Sequence, residues 1–112
     1  WALDGNANDS VSTNHGTLNN APAFGNDRNG TANSAVVLNG TNQAVNLGDP
    51  ASLQITGQIT MAAWINPSNT TALRNILNKG HNTTGVAPNP TNGEITLRLN
   101  TGGNVLVIMF PS

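Results

Sequence analysis

The chain has 112 residues and a formal net charge of −1, and only 8% of its residues are charged. Binding to a phosphate backbone needs clustered cations, and here they are scattered, so we expect no nucleic-acid partner. No apolar stretch approaches the ~18–20 residues that span a bilayer, so we expect no membrane insertion. The chain has no cysteine, so no disulfide supports the fold.

Because the chain has so few charges, the solubility of its surface must come from amides and hydroxyls. The chain contains twenty asparagines and thirteen threonines. This uncharged polar composition is typical of secreted and cell-surface proteins, which is the localisation we expect. The chain starts at Trp1 without a methionine, so we expect a segment of a larger protein. A chain this rich in asparagine and threonine contains several Asn-x-Ser/Thr sequons by chance alone. The sequence does not decide whether glycans are attached at these sequons, which begin at Asn8, Asn29, Asn39, Asn69 and Asn82.

Strand signals recur along the chain, whereas no window shows helical periodicity free of Gly, Pro or Asn clusters. Gly, Asn, Pro and Asp separate the strand segments, as expected of turns. The sequence predicts strands at residues 1–3, 17–18, 35–38, 44–47, 59–65, 75–78, 94–99 and 105–110, with one helical turn at residues 50–54. Such a chain favours an antiparallel sandwich or barrel, formed as a single domain.

The clearest local signals lie in the second half of the chain. Apolar and polar side chains alternate along residues 94–99, so Thr96 and Arg98 share the face opposite the apolar one. Residues 100–104 contain two glycines and predict a five-residue hairpin loop. The strand after it, residues 105–110, is apolar on both faces, so we expect further chain or another subunit to cover it.

Several short motifs follow one another in a defined order. They are Trp1-Ala-Leu-Asp4, Asp9-Ser10, His15-Gly-Thr-Leu18, Ala35-Val-Val-Leu-Asn-Gly40, Val45-Asn-Leu-Gly48, Ile59-Thr-Met-Ala-Ala-Trp-Ile65, Ile76-Leu-Asn-Lys-Gly80 and Ile95-Thr-Leu97. Over nearly the whole chain, this set resembles the laminin G-like domains of the concanavalin A-like superfamily. Two positions depart from the family pattern, Leu38 where Phe is frequent and Asn39 where Asp is frequent.

The resemblance implies an all-β fold, an antiparallel two-sheet jelly-roll sandwich of the concanavalin A-like kind, formed by residues 1–112. Family domains are longer, and their last strands return to pair beside the first. The resemblance therefore also implies that this jelly roll is incomplete at its C-terminal end. The alternative is an immunoglobulin-like sandwich, whose ~100 residues fit the length better, although its cysteine pair is absent.

Many members of the family carry calcium, so the resemblance suggests a Ca²⁺ site. A hard cation takes oxygen ligands, and Asp27 and Asp49, both in predicted loops, are the candidate ligands. The sequence contains no calcium-loop spacing. The alternative is that these carboxylates cap turns by accepting hydrogen bonds from their own backbone.

A sugar site needs an exposed aromatic ring for stacking and planar polar groups for the hydroxyls. By the resemblance, the face that bears Thr96 and Arg98 would be the concave sheet face on which family members bind glycans, so these residues and Trp64 are the candidate ligand-binding residues. The alternatives are a merely solvated sheet face and, for Trp64, a packing role, which the resemblance favours.

Catalytic chemistry has little support in this sequence. Glycoside hydrolysis needs a pair of carboxyl groups, and Glu94 is the only glutamate. The Glu-x-Asp-x-x-Glu pattern of the concanavalin A-like glycosidases is absent, and neither His15 nor His81 has an acid or nucleophile beside it. We therefore predict that the chain is not an enzyme.

Together these features predict a non-catalytic binding or adhesion module for glycan or protein ligands. The alternative is a structural subunit of an extracellular filament or surface layer. Such a homo-oligomer would form through exposed strand edges that neighbouring subunits complete.

Overall fold

A computed structural model describes residues 1–55, 57–79 and 95–109, with side chains as far as residue 105. These residues form seven strands and a single 3₁₀ turn, Ala51–Leu53. The strands are β1 (Thr17–Asn19), β2 (Ala23–Gly25), β3 (Ala35–Val37), β4 (Ala44–Asn46), β5 (Arg74–Lys79), β6 (Ile95–Leu99) and β7 (Val105–Met109). They pair into three small antiparallel sheets with no barrel, which confirms the predicted all-β class.

The chain divides into two compact units, Trp1–Ile59 and Thr60–Ser112. In the first unit β1 pairs with β4 and places Leu18 opposite Val45, while β2 pairs with β3 and places Phe24 opposite Val36. The β2–β3 pair lies between β1 and β4 in sequence, so one pairing is nested inside the other. Only short strands are possible here, because turn residues interrupt each apolar run after about three residues.

Gly16 marks the place where the N-terminal loop crosses the β1–β4 pair. Its N–H donates to the carbonyl oxygen of Ala7 at 2.8 Å, and Ala7 is buried. A Cβ at position 16 would lie 2.8 Å from Cγ1 of Val45, 3.0 Å from Cδ2 of Leu47 and 3.1 Å from Cβ of Ala7. The close approach of loop and strand therefore requires glycine at this position.

A side-chain amide joins the β1–β2 loop to the β3–β4 loop. The Gln43 amide nitrogen donates to the carbonyl oxygens of Asn20 and Ala21, at 3.0 and 3.3 Å, and its oxygen accepts the N–H of Asn39 at 2.9 Å. Asn20 and Ala21 have left-handed backbones, with φ of 57° and 47°. Because glutamine both donates and accepts, one side chain stabilises both loops.

The second unit contains a three-stranded sheet in the order β5–β6–β7. Its central strand is the best-buried part of the described chain: Ile95, Leu97 and Leu99 are buried on one face, and Thr96 is buried on the other. A central strand is covered along both edges by its neighbours, which explains why burial concentrates there. The β5–β6 register shifts at a bulge between Asn75 and Leu77.

The predicted hairpin between β6 and β7 is confirmed. Leu99 pairs with Val105, and the N–H of Asn100 donates to the carbonyl oxygen of Asn104 at 2.7 Å. Gly102 and Gly103 in this loop have φ of 89° and 84°, values that residues with a side chain rarely adopt. The N–H of Gly102 donates to the carbonyl oxygen of Thr70 at 3.0 Å, so the loop is also anchored to the segment before β5.

Four other predicted strands, at residues 17–18, 35–38, 44–47 and 75–78, are confirmed as β1, β3, β4 and β5, with ends shifted by one residue. The helical turn is confirmed as the 3₁₀ turn, which Pro50 precedes. Strand β2 was not predicted, because its three residues between Pro22 and Asn26 are too few to show a period. Glu94, Phe110 and the predicted loop of residues 80–93 lie outside the described residues.

Two predicted strands are wrong. Residues 1–3 are irregular, and Leu3 has a left-handed φ of 63°. Residues 59–65 have the composition and alternation of a strand but pair with no described strand. A strand needs a partner for its backbone groups, so composition alone does not make one.

Gly16→Ala should destabilise the chain, because the added methyl group collides with side chains on β4 and in the N-terminal loop. Overpacking of this kind costs about 1–3 kcal/mol of unfolding free energy, measurable by urea denaturation. Gly57→Ala is the matched control, since a Cβ there meets nothing within 4 Å. Equal midpoints for the two variants would contradict the close approach at Gly16.

Candidate ligand-binding site

Trp64 lies in the irregular segment that precedes β5, and 81% of its surface is exposed. The packing role that the family resemblance favours is therefore not what the structure shows. Ala62, Ala63 and Trp64 line an open pocket of about 320 Å³. Two methyl groups and an indole ring thus form an accessible apolar surface.

This arrangement can bind a flat, partly apolar ligand. An indole offers a large rigid face at a low cost in conformational entropy. The alanine methyl groups beside it add to the apolar surface. None of these three lining residues is charged, so the described part of the pocket has no group that would select an anion or a cation.

The structure places Thr96 and Arg98 on one face of β6, as predicted, but not as freely accessible groups. Thr96 is only 3% exposed, and its hydroxyl donates to the side-chain oxygen of Asn78 at 3.5 Å. Arg98 is half-buried, and its Nε is buried without a hydrogen-bond partner among the described residues. The expectation of an exposed face is therefore wrong at Thr96.

The exposed polar groups of this sheet lie on β5 instead. Asn75 is opposite Arg98 and Asn78 is opposite Thr96 in the antiparallel register, and both asparagines are exposed. Directly opposed residues share a face of the sheet. These asparagines could not be predicted from the sequence, because neither strand alone reveals the pairing of β5 with β6 or its bulge.

Asp27 organises the loop between β2 and β3. One carboxylate oxygen accepts the N–H groups of Asn29 and Thr31, both at 2.8 Å, and the other lies 3.5 Å from the Asn29 amide nitrogen. The bond from Thr31 is the chief reason that the pKa of Asp27 lies below its ordinary value of 3.8, since it favours the ionised form. Turn capping, the alternative to a calcium role, is therefore what the structure shows for Asp27.

Asp49 follows β4 and is exposed, and one carboxylate oxygen accepts the amide of Gln54 at 3.5 Å. Across the described ranges, no three His, Cys, Asp or Glu side chains lie together as a metal-binding group. Calcium binding at Asp27 and Asp49 stays a prediction.

A third acidic loop, which was not predicted as a site, precedes β1. The Asp9 carboxylate accepts the N–H groups of Val11 at 3.0 Å and Asn14 at 3.3 Å, and the Val11 bond is the main cause of its lowered pKa. Asn14 connects this loop to two others: its carbonyl oxygen accepts the Trp1 indole N–H, and its side-chain oxygen accepts the Ser52 hydroxyl, both at 2.7 Å. These contacts are structural rather than ligand-binding.

Comparison with known proteins identifies no relative of this chain. No family model, curated protein or solved structure matches the chain. Within the described segments, no helix has the length and hydropathy needed to cross a bilayer.

The capped aspartates should make stability depend on pH. A carboxyl whose pKa is lower in the folded chain stabilises the fold above its unfolded pKa, and that contribution is lost as the pH falls through the folded value. Asp9 and Asp27 both have a lowered pKa, so the melting temperature should fall as the solution is acidified below about 3.8.

Asp27→Asn should reduce this acid sensitivity, because the amide keeps an acceptor oxygen but cannot be protonated in this range. Asp27→Ala removes the acceptor as well and should lower the melting temperature at neutral and acidic pH alike. Thermal melts followed by circular dichroism measure both effects. An unchanged pH profile in Asp27→Asn would argue against the role assigned to this carboxylate.

Proposed function

We propose that the chain is a non-catalytic binding module of a secreted or cell-surface protein and that it binds a glycan through the exposed indole of Trp64. The observation that supports this most strongly is the 81% exposure of Trp64. Large aromatic side chains are normally well buried, so an indole this exposed is a candidate contact surface for a ligand. A pyranose ring, with C–H groups on one face and hydroxyls at its rim, fits this surface.

The chemistry of the pocket favours a neutral sugar. Alanine methyl groups flank the indole and no charged residue is among the described lining residues, so an anionic sugar would gain no ion pair there. One stacking ring on an open surface supplies little buried area. We expect a dissociation constant on the order of millimolar for a single site, with stronger binding when several copies are presented together.

The proposal also includes a specific fold for the chain. The order of the sequence motifs and the antiparallel pairing of all seven described strands support a laminin G-like jelly roll of the concanavalin A-like kind. In such a module, Arg98 would act with the exposed asparagines of β5 on one sheet face, and the buried Thr96 would position Asn78 through its hydroxyl. Calcium, held by Asp27 and Asp49, is part of this proposal as well.

Trp64→Ala should abolish glycan binding without changing thermal stability, because a side chain this exposed contributes little to the fold. The probe is an array of immobilised neutral oligosaccharides, read with and without calcium chloride or chelator. Leu73→Ala is the control variant, since it removes another exposed apolar side chain, 49% exposed, and should leave binding intact. Absence of binding to every neutral glycan, with and without calcium, would overturn the proposal.

One observation favours the structural-subunit alternative. The sheets contain only two or three strands each, and β5 lies at an edge of its sheet within the described residues. Exposed strand edges can pair with a strand from another copy.

The two functions differ in oligomeric state, which size-exclusion chromatography with light scattering measures. A module that binds ligands should elute as a stable monomer of 11.5 kDa. A concentration-dependent series of larger species would favour the structural subunit instead.

A further inference from the structure

The chain contains the same tripeptide, Asn-Gly-Thr, at residues 29–31 and again at residues 39–41. Both copies lie in exposed loops, and both glycines have a positive φ, 86° at Gly30 and 71° at Gly40. The reacting residues are therefore identical, although Arg28 precedes one copy and Leu38 the other, so a difference in reactivity that disappears on unfolding comes from the fold. Asparagine followed by glycine is chemically labile, because no side chain shields the next peptide nitrogen.

The conversion of an asparagine that precedes glycine is intramolecular and needs no cofactor. The glycine nitrogen gives up its proton and attacks the asparagine side-chain carbonyl carbon, so a C–N bond forms and negative charge develops on the side-chain oxygen. Collapse of this intermediate breaks the bond to the side-chain nitrogen, which takes up a proton from water in place of the one that the glycine nitrogen lost and leaves as ammonia, and a succinimide ring remains. Water then opens the ring at either carbonyl and yields aspartate or isoaspartate.

Around Asn39 the hydrogen bonds assist this reaction. The side-chain oxygen accepts the N–H groups of Thr41 at 2.9 Å and Asn42 at 3.2 Å. Two backbone donors at the atom where charge develops stabilise the intermediate, as in an oxyanion hole. The attacking group is also available, since the N–H of Gly40 makes no hydrogen bond within the described part of the chain.

Around Asn29 the hydrogen bonds and the neighbouring charge oppose the reaction. The N–H of Gly30 donates to the carbonyl oxygen of Asp27 at 3.1 Å, so the attacking nitrogen is held in a turn. The Asn29 side-chain oxygen accepts no hydrogen bond from the residues that the structure describes, and the Asp27 carboxylate lies 3.5 Å from the amide nitrogen. A neighbouring negative charge opposes the formation of another one.

We infer that Asn39 is a self-modification site, at which the folded chain converts asparagine to aspartate and isoaspartate through a succinimide, while Asn29 is protected. The conversion replaces the amide that donates to the side-chain oxygen of Asn42 at 2.9 Å with an acceptor-only carboxylate. It also adds one negative charge to the loop that Gln43 joins to the β1–β2 loop.

The test uses the full chain, made in a host without N-glycosylation and aged in mildly alkaline buffer with or without concentrated urea. Peptide mapping by mass spectrometry follows the conversion at Asn29 and Asn39 in one sample, and isoaspartate identifies the succinimide route. In the folded chain Asn39 should react at least about fivefold faster, the factor that one net hydrogen bond supplies. In urea the two rates should converge.

Asp27→Ala provides an independent check, because it removes the neighbouring carboxylate from the Asn29 loop and leaves the Asn39 loop unchanged. It should accelerate the conversion of Asn29 in the folded chain without altering Asn39. The inference is overturned if the two sites react equally in the folded chain or if Asn29 is faster. It is also overturned if Asn39 stays intact over the time in which the urea sample converts.

Discussion

The first unit depends on hydrogen bonds that loop backbone N–H groups donate to short polar side chains. Strands of three residues satisfy few backbone groups, so most of the first unit must find partners elsewhere. Asp9, Asp27 and Asn39 each accept two backbone N–H groups, and Gln43 joins two loops. The abundance of asparagine, which at first indicates only an uncharged surface, thereby acquires a structural role.

The second unit is held together differently. Its central strand β6 buries three apolar residues and one threonine, so the usual alternation of a buried and a solvated face is lost there. The polar groups that remain accessible are on the neighbouring edge strand. Trp64, outside the sheet, keeps its indole exposed. The two places at which a ligand could be recognised therefore differ in chemistry, one amide-rich and one aromatic.

Sequence patterns predicted the elements whose signals are local. Alternation along residues 94–99 and the paired glycines of the next loop are sufficient to define a hairpin, because adjacent strands need only the turn between them. Residues 59–65 have the composition of a strand, but no described strand pairs with them. At Thr96, alternation predicted an exposed face, but the residue is buried in the central strand β6.

The all-β class, the turn positions and the near absence of charge could be predicted from the sequence, since they follow from residue types and their spacing. The pairing of the strands and the burial of side chains became clear only from the tertiary structure, because both depend on contacts between residues far apart in the chain, about which local propensity carries no information. The aspartate caps are short-range, but they depend on the backbone conformation of each loop, which residue types alone do not define. The two Asn-Gly-Thr copies show this most directly, because identical residues acquire opposite hydrogen-bond settings.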